Sequence, residues 1–175
     1  MAEEVSGPIV IRPLTQDDAP ALVGAVRESM VELTPWMPWC HPGYSLQDAG
    51  AFIKTAMDGL AKRTCFEFAI TSGGAVLGVS GINQLDKANL RANVGYWVRS
   101  TAAGQGVATS AVGLMRKWAF ASTELVRLEI LVAIGNLPSQ RVAEKAGAVR
   151  EGVLRRRLLL YGVSHDAVMF SLTRP

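Results

Sequence analysis

The chain has 175 residues, of which 49% are hydrophobic and 19% are charged, and it contains two cysteines. These values predict one folded domain over residues 1–175 and argue against a disordered chain, a membrane-spanning chain and a disulfide-rich secreted protein, so we expect a cytoplasmic protein. The formal net charge of +3 is too small to indicate a nucleic-acid partner, although it suits an anionic ligand.

Hydrophobic periodicity and turn residues divide the first half of the chain into a strand, two helices and a hairpin. In chain order these are a strand over residues 9–14, a helix from Asp17 or Asp18 to about Met30, a helix over residues 46–60, and paired strands over residues 66–70 and 75–82. The second helix is the best marked, because Ser45 and Asp48 form a capping box of the Ser-x-x-acid type at its start.

A proline-rich loop separates the two helices. Three prolines and a glycine between residues 34 and 43 prevent regular structure. The same loop nevertheless carries large or reactive side chains: Trp36, Met37, Trp39, Cys40 and His41. Such a loop either packs on the core or lines a pocket. Cys40 and His41 do not predict a nucleophile pair or a metal site, since adjacent residues rarely present both side chains to one atom.

The second half of the chain predicts strands that alternate with helices. In chain order these are a strand over residues 93–98, a helix over residues 107–121, a strand over residues 128–132, a helix over residues 136–146, and a hairpin of residues 149–160 and 167–172 around residues 161–165. Gly147 indicates a left-handed cap at the end of the last helix. This order implies a mixed sheet with helices on both faces.

The segment before the 107–121 helix carries the first functional signal. Gly104 and Gly106 let a ligand approach the backbone closely, and the free N–H groups of the first helical turn favour an anion such as pyrophosphate. Thr109 adds a hydroxyl donor. The same residues also fit a glycine turn that caps an ordinary helix, because an isolated Gly-x-Gly pattern is weak evidence.

This loop resembles the acyl-CoA pyrophosphate loop of the GCN5-related N-acetyltransferase (GNAT) family, whose pattern is Gln/Arg-x-x-Gly-x-Gly/Ala. Here the pattern reads Thr-Ala-Ala-Gly-Gln-Gly from Thr101 to Gly106, so the first position departs from it. Two further motifs resemble the RimJ/RimL branch: Asn136-Leu-Pro-Ser139 followed by Glu-Lys-Ala-Gly, and a His-Asp pair at residues 165–166. The resemblance implies an α/β GNAT fold, with a mixed, mostly antiparallel central sheet, a splayed parallel strand pair and helices on both faces.

The resemblance also implies that acetyl-CoA is the acyl donor. The residues expected to bind it are Trp97, Val98, Arg99, Gly104, Gln105, Gly106, Val107, Ala108, Thr109, Asn136, Ser139, Arg141 and Lys145. Asn136 would bind the pantetheine arm, and Ser139 would lie near the sulfur and supply the proton for the leaving thiolate. Asn136 and Ser139 also suit a helix start, and Arg141 and Lys145 also suit a solvated face.

The general base is where the chain departs from the resemblance. Relatives often carry a glutamate in an Ala-Glu-Ile-Gly-Tyr-Trp context, where this chain has Asn93 in Ala-Asn-Val-Gly-Tyr-Trp. An amide cannot accept the proton as a carboxylate does, so Asn93 would have to hold a relaying water. Glu129 and Glu67 are the other candidates, and each also fits a structural carboxylate.

The resemblance implies direct transfer of acetyl to a primary amine, either a protein N-terminal α-amine or a small-molecule amine. The alternative is a non-catalytic acyl-CoA-binding module, which the departure at Asn93 keeps open. We expect the acceptor to contact Trp36, Met37, Trp39, His41 and Tyr161. We expect no metal and no membrane partner, and the apolar 34–44 loop and the final hairpin are candidate surfaces for a homodimer.

Overall fold

A single seven-stranded sheet, in the order β1-β2-β3-β4-β5-β7-β6, forms the centre of the computed structural model, which describes residue 5 and residues 7–174. The strands are β1 (Val10–Pro13), β2 (Phe66–Ser72), β3 (Ala75–Asp86), β4 (Arg91–Val98), β5 (Arg127–Ala133), β6 (Val149–Leu160) and β7 (Val163–Thr173). Neighbouring strands are antiparallel except β4 and β5, which are parallel. This is the mixed, mostly antiparallel sheet expected from the sequence.

Helices cover both faces of the sheet. They are α1 (Ala19–Glu28), α2 (Met30–Leu33), α3 (Leu46–Lys62), α4 (Val107–Ser122) and α5 (Leu137–Lys145). Helices α1 and α3 bury their apolar faces with Ala69 and Val79, while α4 packs Val112 and Met115 against the opposite face. Since side chains alternate across a strand, these two clusters fix which residues of β2, β3 and β4 face each helix layer.

Strands β4 and β5 separate after a short paired region. Within the described chain, their pairing consists of Arg91 with Arg127, Ala92 with Leu128 and Asn93 with Glu129. Both strands continue beyond these pairs, β4 to Val98 and β5 to Ala133. The divergence leaves backbone N–H and C=O groups that line a crevice, where they can bind another extended chain.

Two local signals were read correctly from the sequence. Ser45 and Asp48 form the predicted capping box of α3, with the Ser45 hydroxyl 2.6 Å from the Asp48 carboxylate. Gly147 follows α5 with a φ of +82°, as its role in a left-handed cap requires. Both devices join residues close in sequence.

The first helix differs from its prediction. It ends at Glu28, and the separate short helix α2 follows it. Asp18 makes no side-chain capping bond to α1. Its carboxylate instead accepts from the Thr15 backbone N–H at 2.8 Å and pairs with Arg12 at 2.6 Å, so it stabilises the turn that precedes the helix.

The final hairpin is tighter than predicted. Leu160 pairs with Val163, which leaves Tyr161 and Gly162 as a two-residue turn. Their φ values of +51° and +76° are those of a type I′ turn. Residues 165 and 166 therefore lie inside β7 and not in a loop. Among the described residues, no helix is both long enough and apolar enough to cross a membrane.

Candidate active site

A crevice of about 180 Å³ occupies the gap between β4 and β5. Its walls come from the two diverging strands, the start of α5, β6 and the 34–44 loop: Trp36, Met37, Asn93, Val94, Gly95, Tyr96, Ile130, Leu131, Val132, Ala133, Asn136, Ser139, Leu158 and Leu160. A slot with apolar walls and free strand edges suits a pantetheine arm, which carries amides along an extended chain.

Two hydroxyl groups meet at one wall of this crevice. The Tyr96 hydroxyl donates to the Ser139 carbonyl at 2.9 Å and lies 3.0 Å from the Ser139 Oγ. Asn136 positions Ser139, because its side-chain oxygen accepts from the Ser139 backbone N–H at 3.2 Å. Burial raises the pKa of Tyr96 to about 12, although its hydrogen bond to Ser139 lowers it. Tyr96 therefore keeps its proton at neutral pH and donates it to the Ser139 carbonyl.

The glycine loop precedes α4 and is open to solvent. Gly104 and Gly106 have φ values of +77° and +79°, which L side chains rarely adopt. Gly106 is the N-cap of α4, so the unpaired N–H groups of the first helical turn face the loop. This arrangement fits a pyrophosphate group.

An acidic residue of α1 holds the segment before these glycines. Glu28 pairs with Arg99 and accepts from the Thr101 hydroxyl at 2.7 Å and the Thr101 backbone N–H at 3.0 Å. The Arg99 guanidinium and these bonds lower the pKa of Glu28 to about 2. Thr101, which replaces the Gln or Arg of the family pattern, thus ties the loop to α1.

A larger cavity of about 470 Å³ lies on the α1 and α3 face of the sheet. It is lined by Leu22, Met37, Trp39, Tyr44, Asp48, Ala51, Phe52, Glu67, Val79, Asn83, Gly95, Tyr96 and Trp97. This lining of apolar and aromatic side chains with a few polar groups is typical of a small-molecule site. Met37, Gly95 and Tyr96 line both the cavity and the crevice, so the two spaces meet at β4.

Comparisons with known proteins identify the family of this chain. Residues 9–149 match the family model described as an acetyltransferase (GNAT) domain. The chain belongs to the GNAT acetyltransferase family. This acetyltransferase is 29% identical over 172 residues to the putative ribosomal N-acetyltransferase YdaF of Bacillus subtilis (strain 168), covering 98% of this chain and 94% of that relative.

Two further matches place the acetyltransferase in the RimJ/RimL-like branch. It is 28% identical over 104 residues to the ribosomal-protein-serine acetyltransferase of Escherichia coli (strain K12), covering 59% of this chain and 58% of that relative. The structure of Mycobacterium smegmatis RimJ in complex with CoA-disulfide superposes with a TM-score of 0.86 at 26% identity, covering 97% of this chain and 83% of that chain. The chain is therefore an acetyl-CoA-dependent N-acetyltransferase, and the non-catalytic alternative is set aside.

Two of the four catalytic candidates from the sequence, Asn93 and Glu129, are engaged in other contacts. Asn93 donates from its Nδ2 to the Asn83 Oδ1 at 3.0 Å. Glu129 accepts from Arg91 at 3.0 Å and from Arg127 at 2.8 Å, with one oxygen for each guanidinium. Both carboxylate oxygens of Glu129 are therefore already engaged by guanidinium groups. Ser139 lies in the crevice, as its proposed role requires.

The residues expected to contact the acceptor are divided by the structure. Trp39 lines the larger cavity, Met37 lines both spaces, and Trp36 lines the crevice instead. His41 is exposed and lines neither space, although its ring centroid is 6.1 Å from that of Tyr44. The Tyr161 hydroxyl donates to the Thr34 carbonyl, so it fastens the final hairpin to the loop.

The residues expected to bind acetyl-CoA also lie in different parts of the structure. Trp97 points into the larger cavity, where its ring lies 5.8 Å from that of Trp39, because its position on β4 faces α1 and α3. Gln105 donates to the Thr101 carbonyl at 2.7 Å. Arg141 and Lys145 are exposed on α5 and remain candidates for a cofactor phosphate.

Sequence reasoning missed several residues of the larger cavity. Tyr44 and Phe52 look like core positions, and Asn83 looks like the end of a strand, whereas all three line the cavity. Tyr96 is an alternating strand residue with no separate signal for its bond to Ser139. Their roles depend on contacts between segments that are distant in sequence. Among the described residues, no group of three His, Cys, Asp or Glu side chains is placed to hold a metal ion.

Proposed function

We propose that this acetyltransferase acts on α-amines, with the N-terminal amines of proteins as its first class of acceptor. The observation that carries the proposal is the meeting of the crevice and the larger cavity at Gly95 and Tyr96. Acetyl-CoA enters from the crevice side, and the amine reaches the thioester from the cavity side. The amine attacks the thioester carbon directly, with no acetylated side chain in between.

The hydroxyls in the crevice serve the leaving group. As the C–S bond breaks, the thiolate takes a proton from the Ser139 hydroxyl, which Tyr96 supports at 3.0 Å. The raised pKa of Tyr96 keeps its phenol protonated, so the phenol donates to the Ser139 carbonyl and holds Ser139 in the crevice. Because this interaction strengthens only as charge develops on sulfur, it contributes to the rate more than to acetyl-CoA affinity.

The pKa of the acceptor favours an α-amine. A free α-amine has a pKa near ~8, so roughly a tenth of it is neutral at pH 7, whereas a lysine amine near ~10.4 is neutral in about one molecule in a few thousand. Position 93 has no carboxylate, so an acceptor that loses its proton easily suits this site. The names of the B. subtilis and E. coli relatives, which refer to ribosomal proteins, support the same acceptor class.

The test compares two peptides of matched length that differ in which primary amine they carry. One is lysine-free with a free N-terminal serine, and the other is N-terminally blocked with a single lysine. Thiol release from acetyl-CoA at pH 7 is measured for both peptides, and mass spectrometry locates the acetyl group. We expect acetylation of the first peptide at a rate at least about tenfold higher. Faster acetylation of the lysine peptide would overturn the acceptor assignment.

We also propose that the protein acts in the cytoplasm as one domain over residues 1–175. Support for the compartment comes from the free cysteines Cys40 and Cys65, which form no disulfide. The 34–44 loop and the final hairpin, joined by the bond from Tyr161 to Thr34, are the surfaces we propose for a homodimer.

A further inference from the structure

We propose that Glu67 is the general base of this acetyltransferase, because its carboxylate lies in the acceptor cavity above a row of glycines that leads across the sheet to the crevice. The assignment rests on the proposed function, since it deepens the chemistry of the same site. It supplies the carboxylate that position 93 lacks, from a strand two places away in the sheet.

The register of three strands creates the glycine row. Glu67 on β2 pairs with Gly81 on β3, and Gly81 pairs with Gly95 on β4. Residues paired directly across neighbouring strands point to the same face. Between Glu67 and the point where the cavity meets the crevice, the sheet surface therefore carries no side chains, because Gly81 and Gly95 occupy these positions.

Gly81 is a glycine for reasons of space. A Cβ built on it would overlap the carboxylate oxygens of Glu67, while its φ lies outside the range that L side chains avoid. The backbone at this position would thus accept any residue, and the carboxylate itself excludes a side chain. Gly95 also adds no side chain to this part of the sheet surface, and a Cβ there would lie 3.7 Å from the Asn83 Nδ2.

The distances suit proton transfer to an acceptor amine. Neighbouring strands lie about 4.8 Å apart, so the Glu67 and Gly95 backbones are separated by roughly 10 Å. The glutamate side chain covers about half of that distance across Gly81. The remaining space, about 5 Å, accommodates an amine nitrogen in hydrogen-bonding reach of the carboxylate, directly or through one water.

A chain of two amides orients the carboxylate. The Asn83 Oδ1 accepts from the Asn93 Nδ2 at 3.0 Å, which leaves the Asn83 Nδ2 to donate to Glu67. Asn93 is therefore a positioning residue that acts through Asn83. This arrangement gives a reason for an amide at position 93, because a carboxylate there would repel the Asn83 oxygen.

The surroundings of Glu67 make it a base of suitable strength. Burial raises its pKa to about 7, although the hydrogen bond from Asn83 lowers it. The other ionisable side chains on this face of the cavity are Asp48 from α3 and Tyr44 from the preceding loop, and Cys65 lies beside Glu67 in sequence. Within the described chain, the residues lining the cavity include no lysine, arginine or histidine.

The pKa values of the two carboxylates in the cavity are shifted in opposite directions. Hydrogen bonds from the Ser45 hydroxyl and backbone hold the pKa of Asp48 below its usual range, so Asp48 stays ionised and attracts a cationic amine. Glu67 has a raised pKa and can exchange a proton near neutrality. A pair of carboxylates with pKa values moved apart by their environments is a common feature of acid–base sites.

The proton balance of the reaction is complete with these groups. The ammonium form of the acceptor gives one proton to the Glu67 carboxylate, and the neutral nitrogen then forms a C–N bond to the thioester carbon. The C–S bond breaks, and the sulfur takes the Ser139 hydroxyl proton. The second proton lost by the nitrogen restores that hydroxyl. Glu67 releases its proton to solvent, which gives one amide, one thiol and one proton overall.

The experiment measures kcat/KM against pH for the wild type, Glu67→Gln, Glu67→Asp and the control Glu151→Gln, which neutralises a carboxylate on β6. The probes are the lysine-free peptide with an N-terminal serine and aminoacetonitrile, whose weakly basic amine is already neutral at pH 7. Isothermal titration measures acetyl-CoA affinity for each variant. Circular dichroism checks that each variant is folded.

For the peptide, we expect Glu67→Gln to lose about 100-fold or more in kcat/KM at pH 7. The variant should also lose the rise in rate near pH 7, while acetyl-CoA affinity is unchanged. The loss should shrink for aminoacetonitrile and at high pH, where the amine needs no base. Glu67→Asp should keep the rise at a lower rate, which tests the assignment even if the Gln variant does not fold. The control should retain the wild-type profile.

A Glu67→Gln variant with the wild-type pH profile, or with an equal loss for both probes, contradicts the assignment of the base. If the wild type acetylates either probe, such a result contradicts only the assignment of Glu67 and leaves the proposed function in place. A wild type that acetylates neither probe overturns the proposed function, and the base assignment fails with it.

Discussion

The burial of Glu67 makes a prediction about stability that is independent of any acceptor. Folding raises the pKa of this carboxylate from 4.5 to about 7, so the folded state holds the proton more tightly than the unfolded state. Stability therefore falls as pH rises from about 4.5 to about 7 and stays lower above that range. Glu67→Gln removes the charge and should abolish this dependence.

The size of the effect follows from the difference in pKa. Each pKa unit corresponds to about 1.4 kcal/mol, so the upper limit is about 3 kcal/mol. Part of the carboxylate faces the open cavity, where water screens it. We therefore expect the free energy of unfolding to fall by about 2 kcal/mol over this pH range. The Gln side chain has nearly the same volume and can still bond to Asn83, so packing around it should change little.

Urea unfolding followed by tryptophan fluorescence at pH 5, 6, 7 and 8 measures the difference. The gap between Glu67→Gln and the wild type should widen in favour of the variant between pH 5 and pH 8. Glu151→Gln is a control of opposite type, because Arg127 lowers the pKa of Glu151 to about 2. The difference in unfolding free energy between Glu151→Gln and the wild type should be constant over the same pH range. Parallel curves for Glu67→Gln and the wild type would refute the buried, proton-binding state of Glu67.

Three further variants test other parts of the site. Ser139→Ala should lower kcat by about tenfold or more with little change in acetyl-CoA affinity, measured by steady-state kinetics and titration calorimetry; an unchanged kcat would mean that the thiolate is protonated by another group. Gly104→Val with Gly106→Val should weaken acetyl-CoA binding about tenfold or more, because valine resists positive φ and blocks the backbone; unchanged affinity in the folded variant would contradict the loop assignment. Trp39→Ala should raise the KM of the peptide but not that of acetyl-CoA, whereas normal kinetics with a lower Tm would show that Trp39 only packs.

Local sequence was sufficient for the features whose partners are close in the chain. The capping box of Ser45 and Asp48, the left-handed cap at Gly147 and the glycine loop before α4 each depend on a backbone conformation set by neighbouring residues. The same is true of Asn136, which caps α5 through a residue three positions away. These signals, together with strand and helix periodicity, predicted the order of elements and the residues proposed to bind acetyl-CoA.

Only the tertiary structure reveals the cavity proposed for the acceptor, because register between strands brings its residues together. Nothing local shows that Glu67 lies opposite Gly81 and that Gly81 lies opposite Gly95, since a shift of one residue would turn each to the other face. The ion pair of Glu129 with Arg91 likewise joins two strands, β5 and β4, while its pair with Arg127 lies within β5. The sequence offered both glutamates as bases, and the fold distinguishes them by surrounding one with cations and the other with an open, cation-free cavity.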